Sequence, residues 1–157
     1  MKKLLIAATV SGLFFAGAAQ AGSTTASMPV SATVSGTCKI TTAPTTLAFG
    51  TIDPSIVAAA VTTTATFAYK CTTGLVPLSM ANDAGANASG AQARLKSGTN
   101  FMNYSVAFAA ATLAAGTGFG SGSTATTITE NGTIALADAQ SAAAGVYADT
   151  VTFTLSF

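Results

Sequence analysis

The 157-residue sequence contains no histidine and no tryptophan, only two cysteines, and 6 Lys+Arg against 5 Asp+Glu. Without histidine there can be no Ser-His-Asp triad and no His-ligated metal site. Two cysteines cannot build a Cys-only zinc site. A formal net charge of +1 offers no basic patch to neutralise phosphates, so nucleic acid is not an expected partner. The carboxylates show no adjacent pair for general acid–base work, so the chain is not expected to be an enzyme or to need a cofactor. Charged residues make up 7% of the chain, well below the roughly 25% of an ordinary soluble domain. Such a shortage raises the question of membrane insertion.

The N-terminus answers that question. Lys2 and Lys3 precede an apolar run from Leu4 to Ala18, followed by Ala19-Gln20-Ala21. This is the basic, apolar, small-x-small pattern of a secretory signal peptide, with cleavage expected after Ala21. The run is shorter than the roughly 18–20 residues of a membrane span, so no stable membrane insertion is expected. Removing residues 1–21 leaves 157 − 21 = 136, the size of one domain. The remaining charges are Lys39, Lys70, Arg94 and Lys96 against Asp53, Asp83, Glu130, Asp138 and Asp149, so 4 − 5 = −1. Export to an oxidising compartment makes a Cys38–Cys71 disulfide the expected state of the two thiols. Their spacing is not that of a C-x-x-C redox pair.

Beyond residue 21 the hydrophobic pattern has period 2, the mark of half-buried strands, and no sustained helical period. Val61, Thr63, Ala65, Phe67 and Tyr69 share a face of a run ending at Cys71. Val76, Leu78 and Met80 alternate in the next run, Tyr104, Val106 and Phe108 in another, and Val151, Phe153, Leu155 and Phe157 in the last. Ala109–Ala115 could form a short helix. Asn82-Asp83-Ala84-Gly85 and Gly116–Gly122 separate the runs, and Asn131-Gly132 is a hairpin signal. An antiparallel β-sandwich is the expected fold class. Ahead of Cys38, the apolar residues Ala26, Met28, Val30, Ala32 and Val34 alternate with Ser27, Pro29, Ser31, Thr33 and Ser35. This segment is either the first strand of the sandwich or an arm that adds to another molecule's sheet edge.

Three further patterns carry a bland reading. The Gly116–Gly122 stretch fits neither G-x-G-x-x-G nor a Lys-containing phosphate loop, and is expected to be a flexible surface loop. Asn82, Asp83 and Asn87 bring one carboxylate, too few for calcium. Asn87-Ala88-Ser89, Asn103-Tyr104-Ser105 and Asn131-Gly132-Thr133 match the glycosylation acceptor pattern, which matters only in a eukaryotic secretory route. Asp149 is expected to fix the turn before the last strand, and Tyr69, Tyr104 and Tyr147 to be core or rim residues.

Several of these features together resemble the spore coat protein U domain of archaic, Csu-type chaperone–usher pilus major subunits. They are Val34 four residues before Cys38, then Leu47-Ala48-Phe49-Gly50, Cys71-Thr72-Thr73-Gly74, Arg94-Leu95, Asn103-Tyr104, and the ending Gly145-Val146-Tyr147-Ala148-Asp149-Thr150. The resemblance implies an incomplete immunoglobulin-like sandwich, completed by the N-terminal strand of a neighbouring subunit. It divides the chain into a signal peptide (1–21), a donor extension (22–36) and a pilin domain (37–157). Met28, Val30, Ala32 and Val34 would be the donor residues, and Val151, Phe153, Leu155 and Phe157 would line the acceptor groove. The implied partners are identical or related pilus subunits, a periplasmic chaperone and an outer-membrane usher, with export through the periplasm to the cell surface. Adhesion and biofilm formation would be the role. Two other functions compete: a secreted, non-filamentous coat or matrix protein with the same domain, and a small carbohydrate-binding module. Pro29 departs from a strand paired on both sides, because it has no N–H to give to a ladder.

Overall fold

A computed structural model describes residues 21–109 and 113–157. The proposed signal peptide up to residue 20, and residues 110–112 of the expected 109–115 helix, lie outside them. The chain divides into two units, Met1–Thr33 and Val34–Phe157. In the first, residues 21–33 form no strand or helix, and all are exposed.

The described residues of the second unit hold seven strands: β1 (Cys38–Thr42), β2 (Val61–Cys71), β3 (Ser79–Asn82), β4 (Ala93–Ser97), β5 (Asn100–Phe108), β6 (Thr126–Ile134) and β7 (Phe153–Ser156). A short helix, α1, spans Leu136–Ser141. Five strands form a sheet in the order β1-β2-β6-β5-β4, and β3 pairs with β7 in a second sheet. Every pairing is antiparallel. This is the all-β, antiparallel sandwich that the alternation predicts, and it fits the immunoglobulin-like architecture that the resemblance implies.

The alternation decides which side chains meet. On β2, Ala65, Phe67, Tyr69 and Cys71 are buried while Thr62, Thr64 and Thr66 are exposed. On β6, Ile128, Glu130, Gly132 and Ile134 turn inward. Phe67, Tyr69, Cys71 and Ile128 form one core cluster, against which Cys38, Leu75, Met80, Phe108, Phe153 and Leu155 pack. Ala93, Met102, Tyr104, Ile134 and Ala139 form a second, joined by Phe49, Ile52, Val57 and Val151 among others. Phe153 joins the layers: its ring lies 4.1 Å from that of Phe67 and 5.8 Å from that of Phe108, centroid to centroid.

Three expectations are corrected. Asn131-Gly132 makes no hairpin, because both residues lie within β6, paired to β2 and β5 on its two sides. The glycine serves close approach instead: a Cβ there would come within 2.6–2.9 Å of Leu47 and Phe49 side-chain atoms. Val76 and Leu78 do not share an inward face with Met80; both are exposed, and β3 begins only at Ser79. Pro77, which cannot donate to a ladder, delays the strand. The Gly116–Gly122 loop is tied down rather than loose. Gly116 and Gly118 donate backbone hydrogen bonds to the Leu75 and Cys71 carbonyls (2.8 and 3.0 Å), and Lys70 Nζ donates to Ser123 O and Oγ.

The disulfide Cys38–Cys71 joins β1 to β2 at a directly paired position. Closing a 33-residue loop, it restricts the unfolded chain by about 3.5–4 kcal/mol. The double variant Cys38→Ser/Cys71→Ser is therefore expected to lose about 3–4 kcal/mol of stability in urea titrations. A loss below about 1 kcal/mol would show that the bridge constrains little.

Candidate functional site

The two sheets are unequal, and the smaller one carries the candidate site. β7 pairs with β3 on one side, and no strand among the described residues pairs with its other side. The ladder tells which groups are free. Asp83 N donates to Thr152 O at 3.0 Å, so Thr152 and, two and four residues on, Thr154 and Ser156 turn their backbone groups toward β3. Phe153 and Leu155 then present N–H and C=O on the open side. Their side chains are half-buried against the Phe67–Tyr69–Ile128 cluster. Apolar side chains inside and an unpaired backbone at the rim make a slot for an extended segment.

The predicted groove residues are not all brought together. Phe153 and Leu155 share one cluster, whereas Val151 packs in the other. Phe157 belongs to neither and is 51% exposed. The proposed donor residues are likewise open to solvent. Met28 is 82% exposed, Val30 84% and Val34 80%, and Ala32 is exposed too. Residues 22–36 join no ladder among the described residues, so the alternation here describes a segment without a strand partner among them.

Asp149 holds β7 in place, as its position before the last strand predicts. Its Oδ1 accepts from Asn87 N and Nδ2 (both 3.0 Å), and its Oδ2 accepts from Tyr104 Oη at 2.8 Å. Burial, reinforced by the hydrogen bond to Asp149, pushes the Tyr104 phenol well above its ordinary pKa. Gly85 is packed so closely on the Asp149 carboxylate that no side chain fits there. Asp83 Oδ1 accepts from Thr152 N (2.8 Å) and Gly85 N (2.9 Å), and these backbone hydrogen bonds, Thr152 foremost, hold its carboxyl below the ordinary range. Asp83 and Asn87 are thus committed to internal hydrogen bonds. Among the described residues no group of three or more His, Cys, Asp or Glu could hold a metal.

Glu130 is the residue that sequence reasoning missed. It lies on the central strand β6, paired to Ala65 and Phe108, with its side chain buried between the sheets. It faces the Asn82 side chain, and neither Glu130 Oε1 nor Asn82 Oδ1 has a hydrogen-bond partner. Burial raises its pKa. Its even-numbered position between Ile128 and Gly132 was the available signal.

The profile of the Spore Coat Protein U domain family matches residues 24–154. The chain belongs to this family. No curated protein sequence matches it. Among solved structures it is similar to the chaperone–tip adhesion subunit pre-assembly complex CsuC–CsuE from archaic chaperone–usher Csu pili of Acinetobacter baumannii. The TM-score is 0.51 at 20% identity, over 80% of this chain and 40% of that one. The chain therefore spans less than half the length of its structural relative, and the likeness is one of fold.

Glu130 gives this family member a testable pH dependence. At low pH the group is protonated folded and unfolded, and its ionisation contributes nothing to the balance. Above the ordinary glutamate value of about 4.3 the unfolded chain gains from ionisation, so stability is lost as pH rises toward the elevated folded value. Glu130→Gln is expected to raise the melting temperature at about pH 8 and to leave it nearly unchanged at about pH 3. An equal gain at both pH values would mean that ionisation is not the cause.

Proposed function

We propose that this protein is a structural subunit of an archaic chaperone–usher pilus and polymerises by strand donation. The observation that carries the proposal is the pairing of an open β7 edge, lined by Phe153 and Leu155, with an exposed N-terminal segment of alternating apolar residues. The segment 22–36 of one subunit adds beside β7 of the next, with Met28, Val30, Ala32 and Val34 turned toward the groove. Burying Met28, Val30 and Val34 contributes about 1.5–3 kcal/mol each, and the smaller Ala32 less. Pro29 has no N–H, so the ladder takes hold chiefly from Val30 onward.

The contact joins two different surfaces of the same chain. It is heterologous and need not close, so identical subunits can extend into a filament. Sparse charge reduces repulsion between packed copies. Before assembly the same open edge calls for temporary cover, because an unpaired edge beside apolar side chains invites aggregation. Family membership and the fold shared with a chaperone-bound Csu subunit support a periplasmic chaperone in that role, with an outer-membrane usher at the exchange step. The filament at the cell surface then supports adhesion and biofilm formation.

Met28→Asp/Val30→Asp places two charges among the donor residues while leaving residues 34–157 unchanged. Purified subunits, released from denaturant, are followed by electron microscopy and size-exclusion chromatography. The wild type is expected to form filaments, and the double variant to lose polymer by more than about 100-fold, from roughly 3 kcal/mol of lost burial. Filaments of the double variant at wild-type yield would reject strand donation. A wild-type chain that stays monomeric would favour a coat or matrix protein.

A further inference from the structure

The donor segment has a built root. Thr37 N donates to Thr72 Oγ1 at 3.0 Å, and Thr72 N donates back to Thr37 O at 2.9 Å. The same hydroxyl reaches Thr37 O at 3.3 Å and Ser35 O at 3.5 Å. The Cys38–Cys71 bridge lies one residue beyond both threonines. Gly36 lies against Leu75, whose side chain would be 3.4 Å from an added Cβ. The 116–118 loop is bonded to the chain just after β2 at this same end. Gly74 N donates to Gly116 O and Gly116 N to Leu75 O. A side chain at Gly116 would collide with the backbone of Cys71 and Thr72. Three backbone segments are thus knitted around Thr72, and Ser35 is the first residue held.

Val34, the last donor residue, immediately precedes Ser35. No slack separates the segment that enters a neighbour from the point where the chain is fastened to its own body.

We propose that Thr72 is a positioning residue that clamps residues 35–37, and so sets how stiffly successive subunits are joined in the filament. The inference rests on the strand-donation reading and adds to it. A hydroxyl at position 72 satisfies the Thr37 amide on a partly exposed rim; without it, the Thr72 N to Thr37 O bond still holds Thr37, but Ser35 loses its hydrogen bond and Gly36 keeps only its packing against Leu75. The joint between subunits then lengthens from zero free residues to about two, Ser35 and Gly36, and a longer free linker samples more orientations.

The test compares wild type, Thr72→Val, Thr72→Ala and Thr72→Ser. In the subunit, amide exchange by nuclear magnetic resonance reads the clamp; in the filament, electron micrographs give the persistence length. Thr72→Val and Thr72→Ala are expected to exchange the Thr37 amide roughly tenfold faster with β2 and β6 amides unchanged, and to form more flexible filaments at normal yield. Thr72→Ser is expected to match the wild type in both. Using two hydroxyl-free variants guards against a folding defect in one. Unchanged Thr37 exchange, or filaments of wild-type stiffness, would overturn the clamp alone. A wild-type subunit that never polymerises would remove strand donation, and this inference with it.

Discussion

The seating of Phe153 against Phe67 and Phe108 is the contact on which the rest of the structure depends. It holds a two-stranded sheet on a five-stranded one. A pair of four-residue strands is too short to persist in water alone. The aromatic contact fixes β7 in the second layer, and the Asp149 and Asp83 hydrogen bonds fix its entry from Thr150 onward. With β7 held and, among the described residues, paired only to β3, its remaining edge has no strand beside it. The same chain carries an apolar segment that finds no ladder of its own. The proposed function is a consequence of these two unsatisfied halves.

The exterior of the fold was legible because β2, β5 and β7 largely follow a period of two. Thr62, Thr64, Thr66 and Thr154 face solvent, and Phe67, Tyr104 and Phe153 face inward. The disulfide followed from export and from there being two cysteines. Other features were hidden for physical reasons. Asn131-Gly132 has hairpin chemistry, but strands on both sides hold β6 straight, and the glycine is needed where Leu47 and Phe49 cross it. Helix α1 is six residues long, too short to show a period, and its Ala135 N-cap offers no side-chain hydrogen bond. Alternation placed Val151, Phe153 and Leu155 on an inward face but could not separate Val151 from the other two, because the two core clusters divide between them.

Glu130 shows where local pattern and burial conflict. A carboxyl at an inward position of the central strand opposes folding when ionised, and two of the cations are engaged elsewhere: Lys70 is tied to Ser123, and Arg94 to the carbonyls of Asn87 and Ala88 beside Phe101. Asp53, Asp83 and Asp149 lie outside the strands and helix, where they organise backbone or turns. Low charge, which first suggested a membrane, instead describes a chain whose surfaces are largely threonine, serine and alanine.

The central claim is that the open side of β7 receives an N-terminal segment, and residue-resolved hydrogen exchange tests it most directly. A synthetic peptide of residues 22–36 is titrated into the subunit, and the Phe153 and Leu155 amides are followed. The account predicts that both exchange rapidly in the free subunit and become protected as peptide is added. Protection confined to β1 or β4, with Phe153 and Leu155 unchanged, would contradict it.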